Sequence, residues 1–114
     1  MAETRKDLAT LTCVPCRGGI PPLKIPRITE MMNIVSGWTL KREGVDKIEK
    51  IFKFKNFKKA MTFVNRVADI ANEQGHHPDI FIHWNEVTLT FYTHAIKGLH
   101  DNDFIMAAKI DELG

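Results

Sequence analysis

Between Asn56 and Gly75 runs the segment that most constrains the fold: Phe57, Ala60, Phe63, Val64, Val67, Ala68 and Ala71 recur at intervals of three and four. That spacing gathers them on one face of a helix, with Asn56 as its N-cap and Gly75 as its stop. Lys58, Lys59, Asn65, Arg66 and Asp69 fall on the opposite face, where water meets them.

The flanking segments change period. Residues 47–55 alternate, with Ile48, Phe52 and Phe54 on one side and Lys47, Lys53 and Lys55 on the other, although Lys50 interrupts the apolar row. Residues 38–41 precede them across Gly44 and Asp46, which makes an antiparallel hairpin. Beyond the long helix, residues 80–84 and 87–93 predict a second hairpin around an Asn85-Glu86 turn, with Val87, Leu89 and Phe91 alternating against Thr88, Thr90 and Tyr92. Ile28, Met31, Met32 and Val35 carry helical spacing closed by Ser36-Gly37. A last helix begins at Asp101 or Asp103, with Phe104, Ala107, Ala108 and Ile110 or Asp111 turning alternately inward and outward. The order helix, hairpin, helix, hairpin, helix predicts an α+β fold: a four-stranded antiparallel sheet with about three helices packed on one face.

With 114 residues, 44% of them hydrophobic, the chain makes a single domain. The Gly/Pro-rich stretch through Pro26 places an N-terminal arm or loop at residues 1–27 and the α+β domain at 28–114. Sixteen Lys and Arg against fourteen Asp and Glu leave a net +2, too little to argue for a nucleic-acid or membrane surface. Lys53, Lys55, Lys58 and Lys59 do cluster with Phe52, Phe54 and Phe57, but the alternation turns those rings inward and leaves a solvated rim. No apolar run approaches the roughly 20 residues that span a bilayer, and the charged N-terminus lacks the apolar stretch of a signal peptide. A cytoplasmic protein is expected.

Cys13 and Cys16 form C-x-x-C, but they lie among Pro15, Gly18, Gly19, Pro21 and Pro22 and not at a helix start after a strand. No second cysteine pair completes a structural zinc site. A loop or arm is the expectation for both.

His76, His77 and Pro78 stand where the long helix ends, and His94 stands at the end of a strand that returns toward them. Imidazole, with an ordinary pKa of about 6.5, takes or gives a proton near neutral pH. Each histidine also has a plain structural reading: His76 as a helix cap, His77 with Pro78 as a turn, His94 as a strand end. The residues alone leave both readings open. His83 and His100 add possible metal ligands, but adjacent His76 and His77 diverge in most backbones and no H-x-x-x-H motif is present. No metal is expected.

These residues resemble the pterin-4a-carbinolamine dehydratases of bacterial type, known in animals as dimerisation cofactors of a homeodomain transcription factor. The likeness is carried by G-H-H-P-D-I from Gly75 to Ile80, the aromatic Trp84, Tyr92-Thr93-His94, Gly98-Leu99 and Asp103. F-K-F-K-N-F-K-K-A from Phe52 to Ala60 and the leader C-V-P-C-R-G-G-I-P-P-L from Cys13 extend it. One position departs: Asn72 stands where the family often carries a charged residue.

The resemblance implies dehydration of 4a-hydroxytetrahydropterin to quinonoid dihydropterin, recycling the pterin of aromatic amino-acid hydroxylases, with no cofactor. It implies catalytic roles for His76, His77, His94 and Asp103, the last as an orienter of an imidazole or a helix cap. Substrate binding falls to Gly75, His76, His77, Pro78, Tyr92, Thr93 and His94, in a homodimer or homotetramer. Trp84 is as readily core or interface as part of the pterin pocket. The alternative is a non-catalytic interaction or assembly protein on the same fold, since the fold alone does not fix a function.

Overall fold

The computed structural model describes residues 4–15 and 18–113. Four helices and four strands follow in the order α1 (Arg5–Ala9), α2 (Ile25–Ile34), β1 (Thr39–Lys41), β2 (Lys47–Lys53), α3 (Phe57–Gln74), β3 (Asp79–His83), β4 (Glu86–Phe91) and α4 (Asp101–Asp111), with a single 3-10 turn at His94–Ile96 before α4. The strands form one antiparallel sheet in the order β1-β2-β4-β3. This is the α+β architecture that the patterning predicts.

The register divides the sheet faces. Ile48, Val87, Leu89 and Phe91 point to the helices and are fully buried, whereas Ile51 and Phe81, both paired with Thr88, stand on the other face at 55% and 64% exposure. Lys50 lies on the covered face, and its Nζ meets Asp111 Oδ1 at 2.8 Å; the indole N–H of Trp38 donates to the other oxygen of that carboxylate at 3.0 Å. The Asp111 side chain is only 1% exposed. A cation in the apolar row is therefore matched by a buried carboxylate from α4, the condition for tolerating either charge there.

The long helix keeps its expected ends. The Asn56 side chain accepts from Lys59 N, and Gly75 closes the helix in the left-handed region at φ 66°. A Cβ at Gly75 would meet no atom within 4 Å, so a substitution there acts through backbone conformation alone. Gly75→Ala is expected to cost about 1–2 kcal/mol in urea denaturation, although no contact is lost. Phe57, expected to face inward, is instead exposed at the first helical position.

Three further expectations are corrected. The first concerns the leader, read as arm or loop to residue 27: it contains α1, whose Leu8 is buried in the core, and α2 starts at Ile25. The second concerns α4, which does not alternate. Residues from Asn102 to Ala108 are all buried, because α1 covers a side of α4 that would otherwise meet water. Its N-cap is His100, not Asp101 or Asp103. The third is the second hairpin, which turns one residue early, on Trp84 and Asn85 with His83 opposite Glu86. Asn85 fixes that turn by donating from its side chain to Phe54 O, while its carbonyl accepts from Phe54 N. Trp84 takes φ 48° and leaves its ring largely exposed.

Candidate active site

The end of α3, the end of β4 and the start of α4 meet at one rim, and a carboxylate joins them. Asp103 is fully buried. One of its oxygens, Oδ1, lies 2.6 Å from His76 Nε2; the other accepts from Thr93 Oγ1 at 2.9 Å and from His100 N at 3.0 Å. A carboxylate in its ionised form only accepts, and in that form all three neighbours act as donors to it, His76 through an Nε2 proton. In that tautomer Nδ1 is the unprotonated nitrogen of the ring. The ring lies parallel to Phe91 at 6.0 Å, and its side chain is 11% exposed.

Local sequence explains each placement. Gly75 reverses the chain so that His76 N still bonds back to Ala71 O while the imidazole turns toward α4. Asp103 occupies the third position of α4, where it completes a capping box with His100: the His100 ring accepts from Asn102 N, and the Asp103 carboxylate accepts from His100 N. The cap and the imidazole contact are thus one group using both oxygens. Thr93 reaches the same carboxylate because the chain turns back after it, bridging Thr93 and Gly98 with a 2.8 Å bond from Thr93 N to Gly98 O.

His77 and His94 flank this centre and are exposed. His77 Nε2 meets the amide oxygen of Asn72 at 3.0 Å, so the residue at the departing position still orients a ring, and does so without charge. The His94 ring packs on Tyr92 at 4.2 Å, and Lys47 Nζ lies 5.3 Å from the centre of the Tyr92 ring. Pro78 is half-buried between His77 and β3.

Residues 21–113 match the family described as pterin 4 alpha carbinolamine dehydratase. The chain belongs to the pterin 4 alpha carbinolamine dehydratase family. A solved transcriptional coactivator/pterin dehydratase from Brucella melitensis is 30% identical and superposes with a TM-score of 0.76, over 81% of this chain and 97% of that one. A pterin dehydratase-like protein identified as a RuBisCO assembly factor in the alpha-carboxysome is 22% identical, with a TM-score of 0.59 over 68% of this chain and 89% of that one. The second likeness is one of fold.

The site residues expected of a dehydratase-family chain therefore fall into two sets. His76, Thr93 and Asp103 are tied together directly, whereas His77 and His94 each engage a different partner, Asn72 and Tyr92. Gly75 acts through the backbone. Among the described residues, no three of His, Cys, Asp and Glu gather as a metal site, and no helix is long and apolar enough to cross a membrane. A hollow of about 600 Å³ between β2, α3 and the end of α4, with Phe52, Phe63 and Arg66 in its wall, contains none of the rim residues. The chemistry-bearing groups are at the rim, so the hollow is not the candidate site.

Sequence reasoning missed the parts played by Phe91, Asn72 and His100. Phe91 reads as plain core, yet its ring backs the His76 imidazole. His100 reads as a spare ligand and is the cap that orders the first turn of α4. The spacing of His100 and Asp103 carried a clue, since capping boxes pair the cap with the third helical position. Histidine is not among the residues that usually cap.

Proposed function

We propose that the chain dehydrates 4a-hydroxytetrahydropterin to quinonoid dihydropterin by histidine acid–base chemistry. The observation that carries this reading is the buried Asp103 carboxylate, which fixes both the tautomer and the direction of His76 at a rim where His77 and His94 remain open to a ligand. Loss of water requires a proton on the departing 4a-hydroxyl and removal of one from N5. Imidazoles supply both within hydrogen-bond reach of a bound ring. His76 Nδ1 and His94 are assigned to these transfers, His77 to holding the pterin edge. Tyr92, Thr93, Pro78 and the backbone at Gly75 line the ring's position.

Stopped-flow decay of enzymatically generated 4a-hydroxytetrahydropterin tests the reading. Acceleration that saturates with substrate supports it, and a folded chain that leaves the spontaneous rate unchanged overturns it.

A second reading, an interaction or assembly protein, is favoured by one observation: Phe81, Ile51 and the strained Trp84 expose apolar rings and side chains on the uncovered sheet face and its β3 edge. The same surface supports a homodimer or homotetramer, as large exposed apolar groups mark contact sites. Neither requires the loss of the rim chemistry.

A further inference from the structure

We infer that residues 13–14 of the leader, with Asn102 and Gln74 as their anchors, form a positioning strap for the His76–Asp103 pair, an inference that rests on the dehydratase reading. Cys13 and Val14 lie before the span that the family match covers, residues 21–113. They are nonetheless bonded to both sides of the rim.

On the α4 side, Val14 N donates to Asn102 Oδ1 at 3.0 Å, Asn102 Nδ2 donates to Val14 O at 2.6 Å, and Cys13 Sγ lies 3.8 Å from Asn102 O. Asn102 is buried and immediately precedes Asp103. On the α3 side, Cys13 N donates to Gln74 Oε1 at 2.9 Å, two residues before His76. The bond between His76 and Asp103 therefore joins two elements that the leader joins a second time, one residue before the carboxylate and two before the imidazole.

The next part of the leader supports the remaining wall. Leu23 N donates to Leu99 O at 2.9 Å, and a Cβ at Gly98 would come within 2.5 Å of Pro22 Cβ, so only glycine admits that contact. Gly98 is the residue bridged to Thr93, the third group on the carboxylate. Helix α1 secures the far end, where Lys109 Nζ donates to Ala9 O at 2.7 Å.

A hydrogen-bonded pair is useful in proton transfer only while its geometry holds, and a displacement of about 1 Å from outside the chemistry can cost roughly 100-fold in rate. The strap supplies that constraint. Asn102 and Gln74 touch no reacting atom in this scheme and act through Asp103 and His76.

The test compares Asn102→Ala and Gln74→Ala with Lys109→Met, which loosens the leader at α1 away from the rim. Three quantities are read: kcat and KM for pterin dehydration, the thermal midpoint, and the NMR resonance of the His76 Nε2 proton, held against exchange by the 2.6 Å bond. Expected are a fall in kcat of about 10- to 100-fold for Asn102→Ala, a smaller fall for the half-exposed Gln74→Ala, KM changed less than kcat in both, and a His76 proton resonance broadened by exchange. Lys109→Met keeps kcat and the resonance even where its thermal midpoint drops.

Retention of the resonance in both rim variants overturns the strap, as does a loss of kcat in all three variants that follows only their thermal midpoints. If wild-type protein does not accelerate dehydration, the dehydratase reading fails, and the resonance alone then decides: its loss in Asn102→Ala or Gln74→Ala supports the strap and its retention overturns it.

Discussion

Asp103→Ala is expected to cost at least about 3 kcal/mol of stability in denaturant unfolding and to leave no measurable pterin dehydration. The carboxylate is fully buried and accepts from three groups on three segments: the His76 ring, the Thr93 hydroxyl and the His100 backbone. Removing one acceptor strands all three donors in a place water does not replace it, and each stranded group costs roughly 1–3 kcal/mol. The capping box at the start of α4 loses its Asp103 half with it, since the His100 N–H is one of those three donors.

Asp103→Asn separates the structural from the chemical part of that effect. The amide keeps an oxygen for Thr93 and His100 N but presents an NH₂ group to His76. The ring must then accept at Nε2, and its proton moves to Nδ1, the nitrogen assigned to the substrate. Expected is a protein that unfolds within about 2 kcal/mol of wild type yet has lost roughly 100-fold or more in turnover. Near-normal turnover in the Asp103→Asn protein would show that the tautomer of His76 is irrelevant and would remove the main support for the proposed mechanism.

How much of this was legible in the sequence follows from how local each determinant is. Helix α3 was readable from end to end because its start and stop signals, Asn56 and Gly75, act within a turn of themselves. The two hairpins were readable for the same reason, although the second turns on Trp84, where the left-handed backbone would ordinarily call for glycine and the rules look one residue further on. Helix α4 was misread because its burial depends on α1, a five-residue helix with one buried side chain and no periodicity to find. His76, Thr93 and Asp103 were each singled out, but their convergence on one carboxylate depends on three segments meeting, which no spacing within one segment encodes. C-x-x-C shows the limit from the other side. Cys13 docks on Asn102 and Gln74 in a role that its motif did not suggest, while Cys16 lies outside the described residues.

The second large effect divides the histidines. His94→Ala is expected to lower dehydration by about 10²–10⁴-fold, the worth of one positioned acid–base group, while changing stability by no more than about 0.5 kcal/mol. His94 is exposed, and the contact that orients it is the face of Tyr92, so its removal opens no core and strands no buried donor. His76→Ala should lose turnover to a similar degree but also destabilise by about 1–3 kcal/mol, because it deprives the buried Asp103 of a donor and bares the Phe91 ring. Single-turnover rates beside urea unfolding of both variants check this. If the two imidazoles serve opposite ends of one dehydration step, the double variant should fall little below the worse single, since groups acting as a unit do not contribute additively. Additive losses would instead show that the two imidazoles contribute independently, and a His94→Ala protein with wild-type turnover would take His94 out of the chemistry and leave the reaction to His76 and His77.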